Sequence, residues 1–344
     1  MSSHTAALLK HKGALAVASR PTPAPGPDEV LVAVRAVALN PIDHIQRGTL
    51  FFVPVLPAVL GCDVAGVIVA CGANVSSSLG LAVGTRVCAF ASSYYQEGSP
   101  DHGAFQSLVL VQKETVAPLP AGISFEHGAM VPVAALTAFT AWPILGISIA
   151  TRHAPGTGPA VLIWGAASSV GTYAVQTAKL LGLTVYATAS PHNHAYIKSL
   201  GARAVFDYHA ADAVAQIAAA VKADGVSMSL AHAVVPGSLQ PVLDVLHQTR
   251  GAQHARVAHS PPLPEDMPTP ADTTVTFNLP SFDKAERNAH FHEVFHEQLK
   301  PALENGSLVP SPAAQIEGGG LSGLDAALDK LQAGVSGKKL VLAL

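Results

Sequence analysis

Along the first third of the chain the apolar positions fall in short runs rich in β-branched residues: 29–39, 64–70, 86–90 and 105–111. Turn-forming residues separate them, so the pattern predicts strands of a partly closed β domain. The proline-rich stretch 21–27 has no helical period and reads as a surface loop between two strands. From residue 160 the rhythm changes. Apolar runs at 160–164, 184–189 and 204–206 alternate with helical periodicity at 169–181, 193–200 and 211–221. Regular alternation of this kind predicts a parallel sheet with crossover helices on both faces. The segment 250–280, with Pro261, Pro262, Pro264, Pro268 and Pro270, reads as a long loop. Helical periodicity returns at 291–303 and 321–334, a β run follows at 339–344, and no internal repeat is present.

With 344 residues the chain is long for one domain, and two are expected. Hydrophobic residues make up 49% and charged residues 12%, against roughly 25% charged in an ordinary globular chain, which excludes intrinsic disorder. A formal charge of −3 lacks the basic footprint of a protein that grips phosphate backbones, so no nucleic-acid partner is expected. Three cysteines, none in a C-x-x-C pair, build neither a disulfide framework nor a four-thiolate zinc site, and a cytoplasmic location is expected. Residues 1–20 contain no sustained apolar region with a cleavage site. Residues 128–151 carry no charge and are long enough to span a bilayer, yet Pro132, Pro143, Gly128 and Gly146 break them up, so a buried helix and turn are expected there and no membrane span.

The segment Val161-Leu162-Ile163-Trp164-Gly165-Ala166-Ala167-Ser168-Ser169-Val170-Gly171 is an apolar strand running into a small-residue turn and a helix start. Small residues let the backbone approach a pyrophosphate, and the amides at the helix start attract it. Ala167 replaces the second glycine of G-x-G-x-x-G, but the strand and helix on either side support dinucleotide binding through Gly165, Ser168, Ser169, Val170 and Gly171. An NAD site ends its second strand in an acid; here that strand ends at Ser190. A 2′-phosphate fits Ser190, His192, Asn193 and Tyr208, which favours NADPH, although Ser190 to Asn193 also suit a helix cap.

Together with Asn40-Pro41-Ile42-Asp43, Leu60-Gly61-Cys62-Asp63-Val64-Ala65-Gly66, Ala135-Leu136-Thr137-Ala138, Phe206-Asp207-Tyr208 and Gly337-Lys338-Lys339-Leu340-Val341, these motifs give the whole chain a family likeness. It resembles the zinc-independent, quinone-oxidoreductase-like medium-chain dehydrogenase/reductases, and within them the fungal trans-acting enoyl reductases of polyketide biosynthesis. The resemblance implies an α/β fold in which a Rossmann doubly wound sheet (126–289) is inserted into a GroES-like β domain (1–125 and 290–344), with the active site in the cleft. It implies Thr137 beside the nicotinamide as a hydrogen-bond donor, although its hydroxyl could instead bond the preceding helical turn. Zinc-bearing relatives use Cys near position 40 and His near 62; Asn40 and Cys62 stand there, so no metal is expected and Cys62 reads as a small buried residue. Many relatives follow N-P-x-D with an aromatic residue and Lys. Here His44-Ile45 follows, leaving His44, Tyr94, Tyr95 or solvent as proton donor. The fourth-strand acid of relatives is absent from Ser229-Leu230-Ala231-His232.

One motif competes: His292-Glu293-Val294-Phe295-His296 matches H-E-x-x-H, with Glu317 downstream as a third ligand, and its bland reading is an exposed polar helical face. The expected function is NADPH-dependent hydride transfer to a conjugated double bond of an enoyl or polyketide thioester or a small enone. The alternatives are a carbonyl, alcohol or quinone oxidoreductase, or a non-catalytic cofactor-binding accessory protein. An apolar or carrier-bound acyl substrate, suggested by Phe51, Phe52, Phe139, Trp142 and Leu145, a polyketide synthase partner, and a monomer or homodimer complete the expectation.

Overall fold

The computed structural model describes residues 2–76, 79–263 and 269–344. They form two compact units, 1–133 with 288–344, and 134–287. In chain order the first unit holds β1 (Ser3–Leu9), β2 (Ala16–Pro21), β3 (Glu29–Ala38), α1 (Pro41–Thr49), β4 (Ala58–Val59), β5 (Asp63–Cys71), β6 (Arg86–Phe90), β7 (Leu108–Gln112), β8 (Val116–Pro118) and α2 (Phe125–Ala129). Helix α3 (Pro132–Ile144) runs across the division. The second unit follows with β9 (Ala160–Trp164), α4 (Ser169–Leu180), β10 (Thr184–Thr188), α5 (His194–Leu200), β11 (Ala204–Phe206), α6 (Ala213–Ala223), β12 (Leu230–Ala233), α7 (Leu239–Thr249), β13 (Ala255–His259) and β14 (Thr273–Phe277). Helix α8 (Lys284–His292) runs across the second division, and the first unit continues with a π-helical turn (Glu293–Leu299), α9 (Lys300–Glu304), β15 (Ala313–Glu317), α10 (Leu324–Ala333) and β16 (Lys338–Ala343).

In the first unit the main sheet runs β15-β16-β3-β5-β6-β8, with β7 also on β3, and β2-β1-β4 forms a second sheet. Register shifts between Leu31 and Val32 and between Val34 and Ala36 bend β3 against β5, as bulges do in a closing β domain. The C-terminal strand β16 pairs Val341 with Ala38, so the end of the chain completes a sheet begun near its start. Val32, Val64, Ile68, Val87, Phe105 and Leu340 pack its core.

In the second unit all six strands are parallel, in the order β11-β10-β9-β12-β13-β14. Every residue of β9 is buried, as expected for a central strand covered on both faces. Order reverses between β9 and β12, and ligands of such sheets bind outside the strand C-termini near that point.

Two expectations need correction. The proline-rich segment 250–280 is not simply a loop, because β13 and β14 complete the sheet there; Pro264 and Pro268 lie outside the described residues. β14 alternates half-buried with exposed residues on the sheet's edge, so Thr273-Thr274-Val275-Thr276-Phe277 lacks the apolar run of a central strand. The run at 105–111 becomes a strand only from Leu108. The apolar pattern does not announce β1, β2, α1 or β15. Residues 128–151 hold the end of α2, then α3 and turns, and among the described residues no helix is long and apolar enough to cross a membrane.

Candidate functional site

The turn after β9 is built from contacts that admit little but small residues. Gly165 has φ +92°, a conformation strained for other residues, and a Cβ there would meet Val235 Cγ1 at 2.7 Å. At Gly171 a Cβ would lie 2.2 Å from the Gly165 carbonyl oxygen. Ser168 caps α4: its hydroxyl donates to the Gly165 carbonyl (2.7 Å) and accepts from the Gly171 amide (3.1 Å). The Gly165 amide donates to Thr188 Oγ1 (3.0 Å), which ties the turn to the end of β10. The amides of Ser169 and Val170 belong to the first turn, which an α-helix leaves without intrahelical partners. Ser169 Oγ is buried with no hydrogen-bond partner. An orphan hydroxyl and a cradle closed to any Cβ fit a dinucleotide pyrophosphate.

At the next strand ends, Ser190 Oγ lies 3.4 Å from Tyr208 Oη, and Asn193 Nδ2 lies 3.2 Å from His192 Nε2. Tyr208 is 43% exposed and its ring lies against His209, 4.0 Å between centroids. Asp207 turns its carboxylate to the His209 amide (3.0 Å). A hollow of about 350 Å³ opens here, lined by Trp164, Tyr208, Val214, Val235, Pro236 and Pro241 among others, and among the described residues no carboxylate lines it. The structure thus gathers Gly165, Ser168, Ser169, Val170 and Gly171 at one turn, and Ser190 with Tyr208 and His192 with Asn193 as hydroxyl and amide pairs at neighbouring strand ends.

Thr137 lies half-buried in α3, in the second unit, and its carbonyl accepts from Asn278 Nδ2 (2.9 Å). His44 lies half-buried in α1, in the first unit. Burial and then Arg47 hold the His44 imidazole below its ordinary value, so it is neutral at pH 7. Tyr94 and Tyr95 belong to an aromatic cluster of the first unit. Phe51 stacks on Phe52 (4.1 Å), Phe52 on Tyr94 (4.4 Å), and Tyr95 meets Phe90 and Phe291 edge-on. Phe139, Trp142 and Leu145 are core residues of the second unit, with Trp142 Nε1 donating to Thr177 Oγ1 (3.0 Å).

Beneath α1 lies a buried polar cluster whose members stand in separate sequence motifs, so that spacing along the chain does not reveal it. Asn40 Nδ2 donates to Asp63 Oδ2 (2.9 Å), Lys339 Nζ donates to Asn40 Oδ1 (2.5 Å), and the Val133 amide donates to Asp63 Oδ1 (2.7 Å). The Asn40 amide donates to Asp43 Oδ2 (2.7 Å) while Oδ1 has no partner, and burial pushes the Asp43 carboxyl up to about 7. The one signal in the sequence is a set of ionisable residues inside otherwise apolar runs. Cys62 is part-exposed rather than buried, and desolvation, with Asp43 and Asp63 behind it, pushes its thiol up. These residues do not fit a zinc ion: an ammonium already neutralises Asp63, and a protonated thiol is no ligand. Among the described residues no three His, Cys, Asp or Glu side chains gather for a metal.

The H-E-x-x-H segment is not an exposed polar face. His292 and His296 rings lie 4.8 Å apart, and His296 is half-buried with Nε2 donating to the Lys113 carbonyl (2.8 Å) in the π-helical turn. Glu317, the supposed third ligand, is held by Lys330 (2.8 Å) and Gln315 (2.8 Å).

Residues 26–121 match the family described as "Alcohol dehydrogenase GroES-like domain", and residues 169–259 match "Zinc-binding dehydrogenase". The chain is 56% identical to trans-enoyl reductase tndF of Aspergillus flavipes over 344 residues, covering 99% of each chain. It is 56% identical to trans-enoyl reductase tazE of Aspergillus terreus over 286 residues, covering 83% of this chain and 94% of the relative. Among solved structures, the quinone oxidoreductase from Coxiella burnetii superposes with TM-score 0.71 at 25% identity over the full length of both chains. The CurK enoyl reductase shares the fold, with TM-score 0.76 at 21% identity over 99% of this chain and 99% of that one.

Proposed function

The chain belongs to the medium-chain dehydrogenase/reductase family and is a nicotinamide-dependent, enoyl-reductase-like oxidoreductase, and we propose that it uses NADPH to reduce the conjugated double bond of an enoyl thioester presented by a polyketide synthase, or of a small enone. The observation that carries this reading is the hydroxyl pair of Ser190 and Tyr208 in the same unit as the closed cradle at Gly165 and Gly171. Where an NAD site places a carboxylate against the ribose, donors here suit a 2′-phosphate. Full-length likeness to trans-enoyl reductases supports the reaction class.

When bound, the dihydronicotinamide supplies a hydride. The first-turn amides of α4 and Ser169 Oγ hold the pyrophosphate, and the missing side chains of Gly165 and Gly171 let the backbone close on it. As the β carbon is reduced, negative charge gathers on the substrate's carbonyl oxygen. The Thr137 hydroxyl donates to that oxygen, a type of contact whose loss costs about 10²–10³ in rate. The α carbon then takes a proton. His44, neutral at pH 7, has to be loaded with a proton from solvent before it acts as an acid.

The test is consumption of NADPH and of NADH with enoyl thioesters, enones and quinones, followed by mass analysis. A saturated product that keeps its carbonyl, formed faster with NADPH, is expected. Alcohol or quinol products would replace the reading with a carbonyl or quinone reductase, and cofactor binding without turnover on any substrate would make the chain an accessory protein.

A further inference from the structure

His232, one residue before the end of β12, is fully buried. Burial, with His259 nearby, pushes its imidazole down to about 3, so it is neutral. Nε2 lies 2.8 Å from Ser260 Oγ, just past β13, and 3.2 Å from Asn278 Nδ2, just past β14. The same Nδ2 donates to the Thr137 carbonyl at 2.9 Å and lies 3.3 Å from Ser260 Oγ. A carbonyl only accepts, so this contact orients the Asn278 amide. An amide NH₂ only donates, so the hydrogen of Asn278 Nδ2 that is not on the Thr137 carbonyl is directed toward Ser260 Oγ and His232 Nε2. All four residues lie in the second unit.

The arrangement leaves His232 Nδ1 and Asn278 Oδ1 buried without partners. Unpaired buried groups are destabilising, and apolar residues at these strand ends would avoid that cost. What the network achieves is a hold on the α3 turn that bears Thr137, at the strand C-termini where such sheets bind cofactor. We propose that Asn278, held by Ser260 and His232, is a positioning residue: its amide fastens the Thr137 carbonyl and thereby sets how the Thr137 hydroxyl is presented. This rests on the role given to Thr137 above.

The test is Asn278→Leu, similar in size but without the donor, with Ser260→Ala as a milder variant and melting temperature as the check on folding. Turnover should fall about tenfold for Asn278→Leu and less for Ser260→Ala, with KM and NADPH affinity unchanged within about twofold. In a Thr137→Val background Asn278→Leu should cost nothing more, because its effect passes through Thr137. Losses that multiply would reveal a merely structural role and overturn the proposal. Hydrogen exchange of a peptide covering 134–142 should accelerate in Asn278→Leu, and unchanged exchange would overturn the hold itself. A wild-type protein inactive on every enoyl substrate retires the reductase reading, while the exchange experiment still decides whether the hold exists.

Discussion

Lys339 Nζ lies 3.1 Å from Asp63 Oδ2, with 3% of one side chain and none of the other exposed to solvent. Strand β16 delivers the cation and β5 the anion, and Asn40 bridges them from the start of α1. The pair joins three motifs that are far apart in the sequence.

Removing the cation alone leaves a buried carboxylate without its counter-charge. Lys339→Met is therefore expected to destabilise the protein by about 3–5 kcal/mol, seen as a large drop in the denaturation midpoint. Lys339→Met combined with Asp63→Asn should recover much of that loss. A midpoint unchanged in the single variant would show that Asp63 does not depend on Lys339.

Asp43 makes stability depend on pH. Its carboxyl, at about 7 in the folded protein against an ordinary 3.8, binds its proton more tightly when folded. Between those values the folded state holds more protons than the unfolded state, so stability falls as pH rises from about 4 to about 7, by up to ~4 kcal/mol. The contribution is fully present below the unfolded value and lost above the folded one. Asp43→Asn keeps an acceptor for the Asn40 amide and should flatten this limb. A wild-type denaturation midpoint that stays level across the window would contradict the buried, protonated state.

Cofactor choice should move with Ser190. Ser190→Asp restores the carboxylate of an NAD site, and NADPH affinity is expected to fall at least about tenfold while NADH affinity rises. Tyr208→Phe, which removes one hydroxyl of the pair, should weaken NADPH about two- to tenfold and leave NADH alone. Fluorescence titration with both cofactors checks this. Equal weakening of both would mean that the hydroxyls do not face a 2′-phosphate.

Thr137→Val keeps the shape of the side chain and removes the donor. Turnover should fall about 10²-fold with NADPH affinity nearly unchanged, measured by steady-state kinetics beside a binding titration. Unaltered turnover would remove Thr137 from the chemistry.

Much of the second unit is legible in the residue pattern alone. The apolar run at 160–164 coincides with β9, because a central parallel strand is covered on both faces and reads as an unbroken apolar run; the run at 204–206 coincides with the half-buried edge strand β11, and helical periodicity at 169–181 overlies α4. β14 is not legible, since an edge strand with exposed threonines looks like a loop. β15 and the sheet of β2-β1-β4 escape for a related reason: their stability comes from partners distant in sequence rather than from a pattern of their own.

By itself the sequence determined the alternating α/β character, the small-residue turn at Gly165 to Gly171 and the missing acid at Ser190, because these depend on local spacing and residue size. The tertiary structure decided which ionisable groups share a buried space. Only the folded chain brings Asn40, Asp63 and Lys339 together, pushes Asp43 to about 7, and sets Asn278 between His232 and the Thr137 carbonyl. Desolvation and hydrogen bonding act through distance in space, and a chain of residues carries that distance only once it is folded.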